Sequence, residues 1–354
     1  MNIQLLTTKF VQYKNSNNNP ARQNTMSAPL LKPLQKDTVQ FTGSQKTAEK
    51  CDELSKKKVF EYWNPDDVKN FQEIIKIAQK FEDPLEKFEW DLKRCLKQFV
   101  STDNNADNII MPGKKGIKSR VKTPRAIAYK ANLRGLTEEL QIEQMGDVGG
   151  ARIVLRKSSF EDTDKIFNCL KDLVKQGYKL KEIENYRLNA KDSYVSQKTL
   201  DKFEKFCIEH EQYPEVKNRP IPNGYTAVHF TFELPDGKLI ELQMMGRDVE
   251  NVKEAEDFYY KYRNNIPFDP KYKSIQRTFD KYMPTLDKFQ KETLNRYIKD
   301  SYINARHIPA RSAKIKFSPE KEFLPFPYSL PQKLSFENIY KMTEECQKAS
   351  KRKA

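Results

Sequence analysis

The run Tyr225-Thr-Ala-Val-His-Phe-Thr-Phe-Glu233 constrains this chain more than any other part of it. It is rich in β-branched and aromatic residues. The turn signal Pro235-Asp-Gly237 follows, and Leu239 to Met244 returns beside it. The chain must therefore build a sheet around an antiparallel hairpin. Gly149 to Leu155 reads as a buried strand and Tyr178 to Arg187 as another.

Helical patterns surround these strands. Pro65-Asp-Asp opens a helix with Asn64 as its cap, and Val68, Phe71, Ile74, Ile75, Ala78 and Phe81 fall on one face until Pro84 ends it. A second helix covers about 85 to 99, with Leu85, Phe88, Leu92, Leu96 and Phe99 inward, and Ser101 to Asn108 is a loop. Pro124 suits a first turn, so a helix runs from there to about Leu133. Ser159 and Glu161 open a helix that turns Ile166, Phe167, Leu170 and Leu173 inward. Lys198 to His210, Val249 to Tyr262, much of Tyr272 to Tyr302, and Ser335 to Gln347 are also helical. The Pro- and Lys-rich stretch Ile308 to Gln332 wraps a surface. These patterns predict an α+β fold: a mixed sheet of about five strands with helices on both faces, an N-terminal helical pair and a helical C-terminal extension.

Residues 1–55, rich in Asn, Gln, Ser, Thr and Lys, read as a flexible tail. Within them Val39-Gln-Phe-Thr-Gly43 is a linker or a docking peptide. The remaining divisions are 56–110, a helical region; 111–264, the sheet domain; and 265–354, the extension. Hydrophobic residues make up 37% of the chain, enough for one core. The formal net charge of +15 favours polyanionic partners (nucleotides, RNA, DNA or an anionic surface) without choosing among them. A generally lysine-rich surface explains the surplus equally well. Five scattered cysteines, none in a C-x-x-C pair, argue against a disulfide framework or zinc site and point to a reducing, cytoplasmic setting. No apolar run is long enough to span a membrane, and Met1-Asn-Ile-Gln-Leu-Leu6 does not read as a signal peptide.

The chemistry gathers around the sheet. From Asn108 to Thr137 there are eight basic residues and no acidic one, ending in a helix N-terminus suited to phosphate. Arg120 and Lys122 alternate in an extended loop, and Lys130 lies in the helix that follows. Such cations can neutralise a triphosphate, or they form an RNA-binding or merely soluble strip. Asp147 enters a strand and Glu241 lies on the returning strand of the hairpin. Together they offer the hard oxygen ligands that magnesium takes, or else a turn cap and a solvated charge. Arg152, on the strand of Asp147, is too costly to bury unpaired and points into a polar cleft. Asn223-Gly224 puts Tyr225 at a strand start, where its ring stacks on a base or packs in the core. His229 shares its face.

Four segments in order resemble the synthetase domain of the RelA/SpoT family, the alarmone (ppGpp) synthetases. Ser119-Arg-Val-Lys-Thr-Pro-Arg-Ala-Ile-Ala-Tyr-Lys130 looks like the family's ATP loop and following helix. Asp147-Val-Gly-Gly-Ala-Arg152 resembles the strand that supplies a magnesium aspartate. Pro222-Asn-Gly-Tyr-Thr-Ala-Val-His229 matches the acceptor loop, and Leu239-Ile-Glu-Leu-Gln243, with Ala255-Glu256 and Tyr260-Lys-Tyr262, resembles the strand of the catalytic glutamate and the next helix. The likeness covers about 150 residues, Lys114 to Arg263. Ser119 stands where the family has glycine, Ala126 where it has serine, Ile221 where it has lysine, and Met245-Gly246 where it has Arg-Thr. No histidine is followed by Asp, so the family's hydrolase signature is missing.

The resemblance implies a nucleotidyltransferase-like fold and a small, synthetase-only pyrophosphokinase. Asp147 and Glu241 would be catalytic and hold Mg2+. Arg120, Lys122, Lys130 and Arg152 would hold ATP. Asn223, Tyr225, His229 and Gln243 would hold the acceptor, with Tyr225 stacked on guanine. Three readings stay open: transfer to GDP or GTP; transfer to the 3′ end of tRNA, as in toxin members, with an antitoxin as partner; and an inactive nucleotide sensor or RNA-binding protein. Homo-oligomers are compatible with all three.

Overall fold

The computed structural model describes residues 65–100, 108–134, 136, 139–156, 159–266, 268–307 and 323–351. The expected tail 1–55, with its Val39–Gly43 segment, the Asn64 cap, the side chains of Val68 and Phe71, loop residues 101–107 and the stretch 308–322 lie outside the described residues.

A six-stranded mixed sheet organises the chain, in the order β1-β2-β6-β5-β3-β4. The strands are β1 Ile117–Val121, β2 Gly149–Leu155, β3 Lys179–Arg187, β4 Glu215–Pro220, β5 Ala227–Glu233 and β6 Leu239–Gly246. The expected hairpin is β5–β6, antiparallel, with Gly237 at φ +83° in the turn as a left-handed position requires. β2 joins β6 in parallel and β4 joins β3 in parallel; the other pairs are antiparallel. The expected count of about five becomes six. The two strands not foreseen, β1 and β4, are the sheet's edges, and both are dominated by polar residues. An edge strand has one neighbour and exposes polar side chains, so it lacks the apolar signature of a central strand. The stretch read as a basic loop is in fact strand β1 as far as Val121.

Register explains the division of labour between the two faces. Directly paired residues point to the same side of a sheet. One cross-strand row is Ser119–Ala151–Leu242–Phe230–Ile183–Val216. Its central members are buried, and helices α2 (Glu82–Leu96), α5 (Phe160–Lys175) and α6 (Gln197–Glu209) cover them. Phe88 packs on Phe232 at 5.7 Å between ring centroids, and Phe167 on Phe230 at 5.3 Å. Ser159 caps α5 by accepting the Asp162 amide, as its position predicted. Pro84 does not end α1 (Pro65–Gln79); it sits in the first turn of α2, where a missing amide hydrogen costs nothing.

On the other face the rows are charged. The first is Lys118–Arg152–Gln243–His229–Glu184–Lys217, and the next is Arg120–Gly150–Glu241–Thr231–Glu182–Glu215. Helices α3 (Pro124–Leu133) and α4 (Glu139–Glu143) lie between β1 and β2 in sequence, and α7 (Arg247–Arg263) follows β6. Helices α8 (Lys273–Tyr282), α9 (Lys288–His307) and α10 (Phe336–Lys351) form the C-terminal part, which shares the core through Tyr259, Phe279, Tyr302 and Phe336, all fully buried. Among the described residues, no helix is long and apolar enough to cross a membrane.

Candidate active site

The charged face converges on two carboxylates. Asp147 stands in the turn just before β2, and its Oδ2 accepts from both Lys122 Nζ and Lys130 Nζ. Lys122 follows β1 and is held there by its amide bond to Val148 O, 2.9 Å. Lys130 comes from the last turn of α3. The Asp147 side chain is 12% exposed, and its Oδ1 is buried with no hydrogen-bond partner among the described residues. A buried carboxylate oxygen without a donor is costly unless something electropositive meets it.

Glu241, on β6, is the second carboxylate. Its Oε2 accepts from Gln243 Nε2 at 2.5 Å. Its Oε1 lies 3.0 Å from His229 Nδ1, which is out of line for a hydrogen bond. Burial opposes its ionisation, yet His229, Lys253 and Lys122 outweigh burial and hold its pKa well below the usual carboxylate range. A carboxylate so stabilised keeps its charge and is a weak proton acceptor. The lysines are pushed towards their neutral form: burial, then Arg120 and Arg134, bring Lys122 down to about 8, and burial, then Lys122 and Arg134, bring Lys130 down to about 7, with Glu241 opposing both falls.

Arg120 is exposed on β1 and pairs in register with Gly150, which in turn pairs with Glu241. No side chain from β2 therefore stands between Arg120 and Glu241, two strands or about 10 Å apart. Arg152 is not free: Nη1 donates to Glu250 Oε1 at 3.0 Å and Nη2 to Gln243 Oε1 at 3.1 Å. Lys118 reaches the same Glu250 oxygen at 2.5 Å. Glu250 thus anchors α7 to β1 and β2.

The acceptor-loop residues are also gathered here. Asn223 Oδ1 accepts the Tyr225 amide at 3.0 Å and shapes the turn, with Gly224 at φ +82°. A Cβ at Gly224 would lie 3.1 Å from Lys299 O and 3.3 Å from Tyr302 Cβ, so the turn also needs glycine to pass α9. Tyr225 is 9% exposed, and its hydroxyl lies 2.9 Å from His229 Nε2. Tyr186 and Tyr302 pack on its ring at 5.8 and 5.7 Å. In this conformation the ring is enclosed by its neighbours.

All ten residues singled out from the sequence therefore lie on or beside one face of the sheet. Lys122 and Lys130 gather on Asp147, His229 and Gln243 gather on Glu241, and Arg152 bridges to α7. Sequence reasoning missed Lys253, whose Nζ donates to Gln243 Oε1 at 2.7 Å. It also missed Glu250. Both lie on α7, whose dense run of charged residues hides which of them face the sheet. Ser119 has a local explanation: it donates to Glu89 and ties β1 to α2. Met245 is fully buried, and Arg247 pairs with Asp248 at 2.8 Å. Among the described residues, no cluster of three or more His, Cys, Asp or Glu is placed to hold a metal.

Residues 119–265 match the family described as the region found in RelA and SpoT proteins. Among solved structures, the chain is similar to small alarmone synthetase 1 from Bacillus subtilis (16% identity, 64% of this chain and 89% of that one, TM-score 0.37). It is likewise similar to a GTP pyrophosphokinase family protein from Streptococcus pneumoniae (15% identity, 64% and 86%, TM-score 0.37) and to small alarmone synthetase 2 from Bacillus subtilis (16% identity, 65% and 90%, TM-score 0.35). No curated protein matches the chain.

Proposed function

We propose, from the match of residues 119–265 to the region found in RelA and SpoT proteins, that this chain transfers pyrophosphate from ATP to the 3′-hydroxyl of GDP or GTP, making (p)ppGpp. The observation that carries this reading is the convergence of Lys122 and Lys130 on one oxygen of Asp147 while the other oxygen is buried without a partner, with Glu241 on the same charged face.

That pair of hard-oxygen carboxylates fits a magnesium ion, which takes one or two protein carboxylates and fills its remaining positions with phosphate and water. Asp147 and Glu241 would hold it, and it would neutralise charge on the phosphates. The chain's own cations supply the rest. Arg120 stands across the side-chain gap at Gly150, in reach of a phosphate lying between β1 and β6. Lys122 and Lys130, already desolvated, exchange part of their bond to Asp147 for triphosphate oxygens.

In the reaction, the acceptor oxygen bonds to the β-phosphorus, the bond from that phosphorus to the α,β-bridging oxygen breaks, and AMP leaves with that oxygen. The hydroxyl proton passes to water and on to solvent, while Glu241 stays ionised as a fixed charge. Positioning and fixed charge supply most of the rate in such transfers. The depressed pKa of Glu241 favours its role as a charge over that of a strong base.

The test is incubation with ATP labelled at the γ-phosphate, magnesium and GDP, GTP or bulk tRNA, beside Glu241→Gln. Label on a guanine nucleotide, lost in the variant, supports the reading. Label on tRNA alone replaces it with a tRNA-modifying activity. Bound ATP with no transfer replaces it with a nucleotide sensor.

A further inference from the structure

Lys253 touches both arms that reach Glu241. On one side its Nζ donates to Gln243 Oε1 at 2.7 Å, where Arg152 Nη2 also donates at 3.1 Å. With two cations on its carbonyl, the Gln243 amide has one favourable orientation, and its nitrogen faces Glu241 Oε2 at 2.5 Å. On the other side the Lys253 ammonium lies 5.5 Å from the centre of the Tyr225 ring, a cation–π distance. The Tyr225 hydroxyl meets His229 Nε2, and His229 Nδ1 faces Glu241 Oε1.

The helix makes this reach possible. Glu250 and Lys253 are three residues apart on α7, so both project towards the sheet. Glu250 takes Lys118 and Arg152, and Lys253 takes Gln243. The placement is expensive for a lysine: burial, and then Arg152, push its pKa down to about 7, while Glu241 and Asp257 oppose the fall. A lysine kept only for solubility would sit in water.

We propose that Lys253 is a positioning residue of the transfer site, fixing the amide of Gln243 and the ring of Tyr225 and, through them, the Glu241 carboxylate. This inference rests on the pyrophosphate-transfer reading. It concerns a residue outside the four segments that carry the family resemblance, and it gives Gln243 a function distinct from direct acceptor binding.

The test is a double-mutant cycle in the full chain: Lys253→Met, Lys253→Arg, Gln243→Leu, and Lys253→Met with Gln243→Leu. Lys253→Met should lower kcat about 10- to 100-fold while the KM for ATP moves less than about threefold. Lys253→Arg should recover most of the loss. The double variant should be no slower than the slower single, because both act through one amide. In 15N-labelled protein, the Gln243 side-chain amide signals should shift in Lys253→Met and stay in place in Lys261→Met, which removes an ion pair to Asp257 and a cation–π contact with Phe258. Lys253→Gln replaces the methionine variant if that one does not fold. Unchanged kcat, additive losses in the cycle, or unmoved Gln243 signals would each overturn the proposal while wild-type transfer stands. A wild-type chain that transfers no label overturns the parent reading and this one with it.

Discussion

Asp147 and Glu241 do different work despite equal charge. Asp147 offers one oxygen to two lysines and keeps the other buried and bare, whereas Glu241 has a neighbour at each oxygen. Two predictions follow from that asymmetry. Glu241→Gln should cut transfer by at least about 100-fold with ATP affinity little changed, since it removes a fixed charge at the reacting phosphate; rapid-quench kinetics beside calorimetric ATP binding checks this. Asp147→Asn should raise the magnesium concentration needed for half-maximal rate far more than Glu241→Gln raises the KM for ATP. A magnesium titration that superimposes on the wild-type curve would remove Asp147 from the metal site. Asp147 and Glu241 could equally be a turn cap and a solvated strand charge on local pattern alone; it is the family resemblance that singles them out from the other strand carboxylates Glu182, Glu184, Glu215 and Glu233. Lys253 was not legible, because one lysine in a helix of alternating charge carries no local mark of the direction it faces.

Helix α7 shows how an element imposes chemistry on a strand. Val249, Val252, Ala255, Phe258 and Tyr259 are buried, while Glu250 and Lys253 turn to the charged face of the sheet. Glu256 lies in the same helix, buried, and its Oε1 accepts from Arg263 Nη2 at 2.6 Å. Burial raises its pKa to about 7, with Arg263 opposing the rise. Its folded pKa therefore lies above the unfolded value near 4.5. The folded chain holds an extra proton between these values, so this group's contribution to stability is present below about pH 4.5 and is lost as pH rises through about 7. The wild type should lose more melting temperature between pH 5 and pH 8 than Glu256→Gln does; parallel profiles would show that Glu256 titrates normally. β1 and β4 teach a related lesson. Their sequences alternate charge with neutral residues, and only pairing to β2 and β3 turns that alternation into strands.

The C-terminal helices belong to the same core as the sheet. Tyr302 of α9 is 1% exposed, packs on Tyr225 and closes the back of the turn at Gly224, while Arg306 donates to the carbonyls of Asp192 and Ser193 at 2.8 and 2.6 Å. α9 thus walls the turn at Asn223–Tyr225. Tyr302→Ala should cost about 3–5 kcal/mol of stability, the usual range for a buried aromatic. Denaturant melts measure it, and a loss under about 1 kcal/mol would mean that α9 packs loosely. Net charge acts on the whole molecule as well. If the acceptor is a mononucleotide, log binding against log salt should be much shallower than for tRNA, which releases many counterions. Filter binding of both ligands between 50 and 200 mM salt, a range over which tight nucleic-acid contacts lose roughly three decades or more, separates the acceptors without any turnover.

The hairpin at Tyr225–Met244, the buried strand at Gly149–Leu155 and the amphipathic helices were written in local patterns: alternation, a helical period and Pro or Gly at turns. The residue types that phosphate and metal chemistry need were visible too, but only the likeness of four ordered segments to a known family separated them from the other charges on the strands. What those patterns lacked was register. Whether Glu241 shares a face with Arg152, whether Gly150 leaves a gap beside it, and whether Lys253 reaches Gln243 all depend on which strands become neighbours and how a helix rolls onto them. Those are contacts between residues up to about a hundred positions apart, set by packing the whole apolar face at once. A slip of one residue in β6 would send Glu241 into the core and leave every local pattern in the sequence unchanged.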